Sequence, residues 1–314
     1  MRKIYQSLVQ SLVSHNFYNK NIELLPHKKI DWIRTLPFIL LNLSCLLVIW
    51  VGFSWVALAV AVALYFLRVF SIGAFYHRYF SHRTYKTNRF CQLIFAILGL
   101  SAAQRGPLWW AAHHRQHHIC ADKETDTHSP LQHGFFWSHF GWFMSKKNYY
   151  CNFDLVRDFA KYPELVFLDR YDGLIPFILA ILLFLSGLLL QHVSPSLGTS
   201  GWQMLVWGFS ISTVMVFHAT VSINSLAHTY GKQRFHTADN SRNNFLLALF
   251  TLGEGWHNNH HHYPAATRQG FFWWEIDITY YLLKLFEKLR IISEVREVPK
   301  LILEKNIISK PGPK

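Results

Sequence analysis

The chain has 314 residues, 51% hydrophobic and 16% charged, with 31 Lys and Arg against 18 Asp and Glu and a formal charge of +13. That apolar and aromatic content excludes a disordered chain, and four cysteines without a CxxC spacing exclude a disulfide scaffold. The 19 histidines outnumber all the carboxylates, which raises the question of what so many imidazoles do in so apolar a chain.

Residues 1–35 are polar and basic, too long and too polar at their start for a signal peptide. Two apolar runs follow, and each is long enough as a helix to cross a bilayer. They predict spans over 36–54 and 56–76, with Trp55 as an aromatic anchor at the turn between them. The second run carries one charge, Arg68, expected to meet a backbone carbonyl or to snorkel. A shorter apolar stretch, Phe90 to Ala103, predicts a re-entrant or interfacial helix. Two further spans are predicted over 174–192 and 202–226. Backbone groups in lipid must bond internally, so these runs are helices.

Residues 77–172 and 227–300 remain for a cap. Phe271 to Arg290 mixes aromatic and charged positions at helical spacing and predicts an amphipathic interfacial helix. The polar tail Lys305–Lys314 is expected to be loose. Arginine and lysine crowd the segment between the second and third spans and are absent from Trp55 and from His192–Gly201. The positive-inside rule then puts the cap and both termini in the cytoplasm. The expected fold is all-α: a multi-pass integral membrane protein of four spans and a helical cytosolic cap, in one unit. The basic residues match no nucleic-acid-binding motif, so no nucleic-acid partner is expected.

The histidines fall in three groups: His77-Arg-Tyr-Phe-Ser-His82, His113-His-Arg-Gln-His-His118 and Gly253-Glu-Gly-Trp-His-Asn-Asn-His-His-His262. His228 follows the fourth span in Asn224-Ser-Leu-Ala-His. His114, His117 and His118 stand at i, i+3 and i+4, as do His257, His260 and His261, so each triplet shares one helix face. With His77, His82 and His228 this makes nine ligands, enough for two first-row metal ions rather than one. Imidazole suits iron, copper, zinc and nickel, and the count alone does not choose among them. His113 and His262 are read as neighbours of ligands. His15, His27, His133, His139, His192 and His236 are read as solvated or interfacial. His218, inside the fourth span, is either a support for the ligands or a packing residue. Glu124 and Asp126 are candidates to orient ligand N–H groups.

These motifs resemble the three histidine boxes of the membrane fatty-acyl desaturases of the acyl-CoA Δ9 type. The resemblance runs through Trp109-Trp-Ala-Ala112, Glu124-Thr-Asp-Thr-His-Ser-Pro130, Gly134-Phe-Phe-Trp-Ser-His-Phe-Gly-Trp142 and Gly253-Glu-Gly-Trp256, and covers about Leu36 to Arg290. It implies a mushroom of four spanning helices whose cap holds two non-haem iron ions, with O₂ as co-substrate. It also implies that the nine histidines are the iron ligands and that Asn224 reaches one iron through water. The implied reaction inserts a cis double bond, at Δ9, into a long saturated acyl chain. Removing hydrogen from an unactivated methylene pair is beyond side-chain acid–base chemistry, and zinc, having no redox chemistry, drops out once this reaction is accepted.

Lys146 and Lys147 match a basic pair that contacts the CoA head group in that family, whereas Ala112 replaces an arginine with the same task. Acyl-CoA, acyl carrier protein and acyl-lipid therefore all stay open as substrate carriers. Tyr65, about three turns before His77 on the second span, suits the end of an acyl tunnel. The sequence contains no GxGxxG fingerprint and no CxxC iron–sulfur spacing. Electrons are expected from a separate ferredoxin-like or cytochrome b5-like protein, steered by the basic cap. Two alternatives stand beside it: a related di-iron membrane hydroxylase or ketolase, which shares such spacing, and a metal transporter or sensor. Transport would need ionisable groups within the spans, where only His218 and Arg68 stand.

Overall fold

Capping side chains decide where this chain turns helical. The computed structural model describes residues 28–308; Arg2, Lys3, Lys20, His15, His27 and residues 309–314 lie outside them. Asp31 accepts from the Arg34 N–H at 3.2 Å and opens α1 (Trp32–Val51). Gly52, with φ +71°, ends it. Ser54 accepts from the Ala57 N–H at 3.3 Å and opens α2 (Trp55–Ser81). The first connection is therefore Gly52–Ser54, and Trp55 is the first residue of α2, 76% exposed.

Helix α3 (Arg89–Leu100) is capped by Asn88. Pro107 stands in the first turn of α4 (Pro107–Cys120) and Pro163 in that of α5 (Pro163–Arg170). Helix α6 (Leu174–Val193) is followed by α7 (Gly201–Ser225), which opens on a reciprocal capping pair, Ser200 and Gln203. Three shorter helices complete the frame: α8 (Phe245–Phe250), α9 (His257–His262) and α10 (Ile278–Lys288). Among the described residues the only sheet is a two-residue antiparallel pair, β1 (Lys86–Thr87) with β2 (Ile292–Ser293).

Helices α1, α2, α6 and α7, of 20, 27, 20 and 25 residues, are long and apolar enough to cross a membrane. Helix α7 packs on both α2 and α6. Gly187 lies so close to α7 that a Cβ there would come within 2.7 Å of the Gly201 Cα. Small residues at such a crossing let two backbones approach in lipid. Arg68 is fully buried in this stem. It donates to the Ser212 and Thr213 hydroxyls at 2.9 and 2.7 Å rather than to a carbonyl, and it does not snorkel.

Three sequence expectations are corrected. Helix α2 does not stop at 76: it continues through the first histidine group to Ser81, with a π-helical stretch over Ile72–Ser81. The amphipathic helix starts at Ile278, not Phe271, because Asp277 caps it by accepting from the Tyr280 N–H at 2.9 Å. The tail is not loose up to 308: the His236 N–H donates to the Asn306 carbonyl and the Ile308 N–H to the Arg234 carbonyl, both at 2.8 Å, so the cap extends past residue 300.

Candidate metal centre

The end of α2, helix α4, His228 just after α7 and helix α9 all converge at the base of the cap. The π turn explains the first spacing. In an α-helix, residues five apart point about 140° away from each other. Here the His82 N–H donates to the His77 carbonyl at 3.1 Å, a bond five residues long that brings the two rings edge to face, 4.9 Å between centres.

The nine histidines form two clusters, with ligand nitrogens inside each lying within 4.8 Å of one another. The first holds His77, His82, His114, His118 and His260; the second holds His117, His228, His257 and His261. Each helical triplet is thus divided. Helix α4 sends His114 and His118 to one cluster and His117 to the other, and α9 divides His260 from His257 and His261. The one-face reading is correct for each helix, but each face serves two centres.

The contacts within the clusters are Nε2 to Nε2. They are 3.0 Å for His77–His260, 2.8 Å for His82–His114, 3.0 Å for His114–His118, 2.9 Å for His118–His260 and 3.0 Å for His228–His257. Four of the rings have a carboxylate on Nδ1. His77 meets Glu254, His117 meets Asp126 at 3.0 Å, His228 meets Asp122 at 2.9 Å and His261 meets Asp239 at 2.8 Å. A carboxylate accepting from Nδ1–H fixes the proton on Nδ1, so Nε2 is left with its lone pair. Lone pairs facing each other at 3 Å repel unless a cation lies among them. Metal–imidazole bonds of roughly 2.0–2.1 Å place adjacent ligand nitrogens about 3 Å apart. The donor sets therefore fit first-row metal ions.

The electrostatics agree. His82, His114, His118, His257, His260 and His261 are held well below the ordinary imidazole pKa, by burial first and then by neighbouring imidazoles. They are neutral, as ligands must be. Burial works to raise the Glu254 carboxyl, but His77 and Arg78 outweigh it and bring the pKa down to about 2. Asp126 is likewise carried below the carboxylate range, because His128 and His117 outweigh its burial. Glu254 also accepts from Arg78 Nη2 at 2.9 Å, and the same nitrogen donates to Asp277 at 2.9 Å. This chain of charges ties the first cluster to the cap of α10.

A cavity adjoins both clusters. His77, His114, His117 and His257 form its polar end, with Asn224 and Glu254. Val69, Ile72, Ala219 and Ile223 continue it between α2 and α7. Space for the centres of water-sized molecules is about 50 Å³, where one water needs roughly 10–15 Å³. Gly73 lines it too, and a Cβ there would meet Glu254 Oε1 at 2.6 Å.

Other expected residues lie elsewhere. Glu124 is exposed and bonds to none of the histidines, because the turn that buries Asp126 points Glu124 to solvent. His218 supports no ligand: its Nδ1 meets His139 Nε2 at 3.0 Å, and His139 in turn meets the Ser225 hydroxyl at 2.8 Å. His139 is therefore paired rather than solvated, and His133 bonds the Asp126 carbonyl at 2.9 Å. His113 bonds the Trp109 carbonyl and His262 stacks on Phe235, so both stay outside the clusters. Lys146 is exposed and Lys147 half-buried; neither lines the cavity. Tyr65 lies one turn before Val69 and donates to the Phe250 carbonyl at 2.9 Å, beside the cavity residue Thr251. The sequence reading missed Asp122, Asp239 and Glu254, and it left His128, which shares Asp126 with His117, unassigned. Glu254 stood inside a motif already singled out, three residues before His257.

Four apolar spanning helices beneath a cap that encloses two poly-histidine clusters define a membrane protein with two groups of side chains able to hold metal ions. The Fatty acid desaturase family profile matches residues 53–287, three quarters of the chain. The chain is 36% identical over 281 residues to an acyl-CoA 5-desaturase of Anemone leveillei, covering 86% of this chain and 83% of that one. It is 33% identical over 271 residues to an sn-1 stearoyl-lipid 9-desaturase of Anabaena variabilis (85% and 94% covered). It is 34% identical over 275 residues to Delta-9 acyl-lipid desaturase 1 of Arabidopsis thaliana (86% and 84% covered). The chain belongs to the fatty acid desaturase family.

Proposed function

We propose that this protein carries out the O₂-dependent desaturation of a long saturated acyl chain, inserting a cis double bond at Δ9. The observation that carries the reading is the pair of imidazole clusters at the head of a cavity that runs between two membrane-spanning helices. His77, His82, His114, His118 and His260 would hold one iron, and His117, His228, His257 and His261 the other, with Asn224 facing the same space through water. An iron pair bound there supplies the O₂-dependent oxidising power that no side chain has.

The protein's own groups do the rest. Glu254, Asp126, Asp122 and Asp239 accept from Nδ1 of His77, His117, His228 and His261, so that the Nε2 of these four rings points inward. Val69, Ile72, Ala219 and Ile223 give the acyl chain an apolar wall, and position along that wall selects the methylene pair presented to the metal. Tyr65 would end the tunnel. Relatives that act at Δ5 and at Δ9 share about the same identity with this chain, so the wall and its end, rather than the clusters, are where regiochemistry would be set.

For the carrier we favour acyl-CoA, with Lys146 and Lys147 at the head group; the loss of the arginine at Ala112 weakens that site relative to the resembling family. Changing both Lys146 and Lys147 to Ala is expected to raise KM for acyl-CoA, and an unchanged KM removes them from the site. The basic cap argues for both termini in the cytoplasm.

The deciding experiment is expression in a host without desaturases, followed by gas chromatography of its lipids with double-bond location and metal analysis of the purified protein. Loss of two mass units at Δ9 supports the reading. A gain of sixteen would instead identify a hydroxylase.

A further inference from the structure

We propose that the groove beside Trp256 is the docking surface for an acidic one-electron carrier protein. The groove measures about 430 Å³ and is lined by Lys232, Arg234, Asn243, Phe245, Leu246 and Trp256, among others. It shares no lining residue with the cavity between α2 and α7. Its occupant therefore need not reach the acyl chain, which suits a partner that exchanges electrons only.

The groove is built onto the back of α9. Asn258 Oδ1 accepts from the Arg234 and Phe235 N–H groups at 2.7 and 2.8 Å. Asn243 Nδ2 donates to Asn259 Oδ1 at 2.7 Å, and the Asn259 N–H returns to Asn243 Oδ1 at 3.1 Å. Trp256 forms part of the wall and His257 follows it directly in the second cluster. Electron tunnelling decays exponentially with distance. Here the wall of the groove and the second cluster are neighbours along the chain, at Trp256 and His257.

The charge is one-sided. Lys232 is exposed and has no carboxylate partner among the described residues. Arg242 is half-exposed, and its Nη1 donates to the Gly231 carbonyl at 3.3 Å. Arg234 is half-buried, meets the buried Glu275 at 2.9 Å and lies over the Phe272 ring at 4.5 Å, so it adds less charge to the surface than Lys232 does. The nearby acids are already engaged: Glu275 with Arg234 and Asn259, and Asp239 with His261. Around these cations stand Tyr230, Phe245 and Leu246, exposed by 60%, 50% and 64%. Cations ringed by exposed apolar groups suit an acidic protein surface, where charge steers the encounter and apolar contact holds it.

The inference rests on the desaturase reading above, which fixes the stoichiometry. Two docking events deliver one electron each and oxidise two carrier molecules. Those electrons, two protons from solvent and the two hydrogens taken from the acyl chain reduce O₂ to two waters.

The test measures binding of a [2Fe–2S] ferredoxin and of a soluble cytochrome b5 to the purified full chain, at several salt concentrations. Lys232→Glu and the double variant Lys232→Glu/Arg242→Glu are compared with Lys161→Glu, an exposed charge elsewhere on the cap. At least one carrier is expected to bind, tenfold or more weakly to the double variant and with a flatter salt dependence. Lys161→Glu should bind as the unaltered chain does. Lys232→Glu alone, which breaks no contact in the fold, should show a smaller loss in the same direction. Equal affinities, equal loss at Lys161→Glu, or loss of acyl-CoA binding in place of carrier binding would each overturn the proposal. Turnover with methyl viologen as reductant separates the two readings. Desaturation without charge-sensitive carrier binding sinks the docking surface alone, and no desaturation with any reductant sinks the reading beneath it.

Discussion

Glu254 carries more of the site than any other residue outside the histidines. It accepts from His77 Nδ1, meets the buried Arg78 guanidinium, accepts from Gln269 Nε2 at 3.1 Å and faces Gly73 too closely for any side chain there. Removing such an outer partner lowers metal affinity roughly 10–100-fold. Glu254→Gln, Asp122→Asn and Asp239→Asn are each expected to fall in that range when metal content is titrated against a competing chelator. Glu124→Ala should change nothing. Gly73→Ala should lower metal content too, because the new methyl displaces Glu254; full occupancy in that variant would show that Glu254 has room to move. The histidines were legible because spacing along a helix is written in the sequence. Of their carboxylate partners only Asp126 was, nine residues from His117. Asp122 and Glu254 stand 106 and 177 residues from the rings they hold, and no local pattern reports such a pairing.

At the scale of elements, α4 depends on a carboxylate from another helix. Asp169, near the end of α5, accepts from the Leu108 and Trp109 N–H groups, both at 2.9 Å, where α4 begins. It lies so close that a Cβ on Gly106 would meet its Oδ1 at 2.1 Å. Free N–H groups at a helix start are satisfied by such acceptors, and loss of one costs about 0.5–2 kcal/mol. Asp169→Ala should therefore lower thermal stability, while Asp169→Asn, which keeps an acceptor, should lower it less. Burial raises the Asp169 pKa to about 7, against an ordinary value of 3.8. Between those values the folded state binds a proton that the unfolded chain does not, so this group's contribution to stability declines as pH rises from about 4 to 7. Melting curves of the unaltered chain and of Asp169→Asn across that range should diverge as pH rises, with the unaltered chain falling relative to the variant. Neither this cap nor the π stretch of α2 could be read in advance. The spans could, since a long uncharged run has few other places to go, yet a uniform apolar pattern gives no sign of where an α turn widens.

For the whole molecule, the long helix α2 joins the stem to the first cluster without a break, and α7 ends three residues before His228. The clusters are closed by four separate stretches of chain. Bound metal should therefore act as a clasp on the fold, since a ligand that binds only the folded state stabilises it by mass action. Stripping metal with a chelator is expected to lower Tm by several degrees, and iron(II) should restore it. An unchanged Tm would mean that the clusters assemble without metal. The four spans, the cap and the family were all open to sequence reading. The division of the imidazoles between two clusters was not, because spacing reveals which side chains share a helix face and not how many neighbours that face meets.

That division makes the helix backbone a ruler. On α4 the adjacent residues His117 and His118 straddle the two clusters, and on α9 His260 and His261 do the same; ring centres are 5.6 Å apart in both. The interval between the clusters is thus written twice in a two-letter word, His-His, and is fixed by covalent adjacency rather than by a bridging side chain. A chain that kept all nine imidazoles but moved one of them a single place along α4 or α9 would keep its inventory and lose its measure.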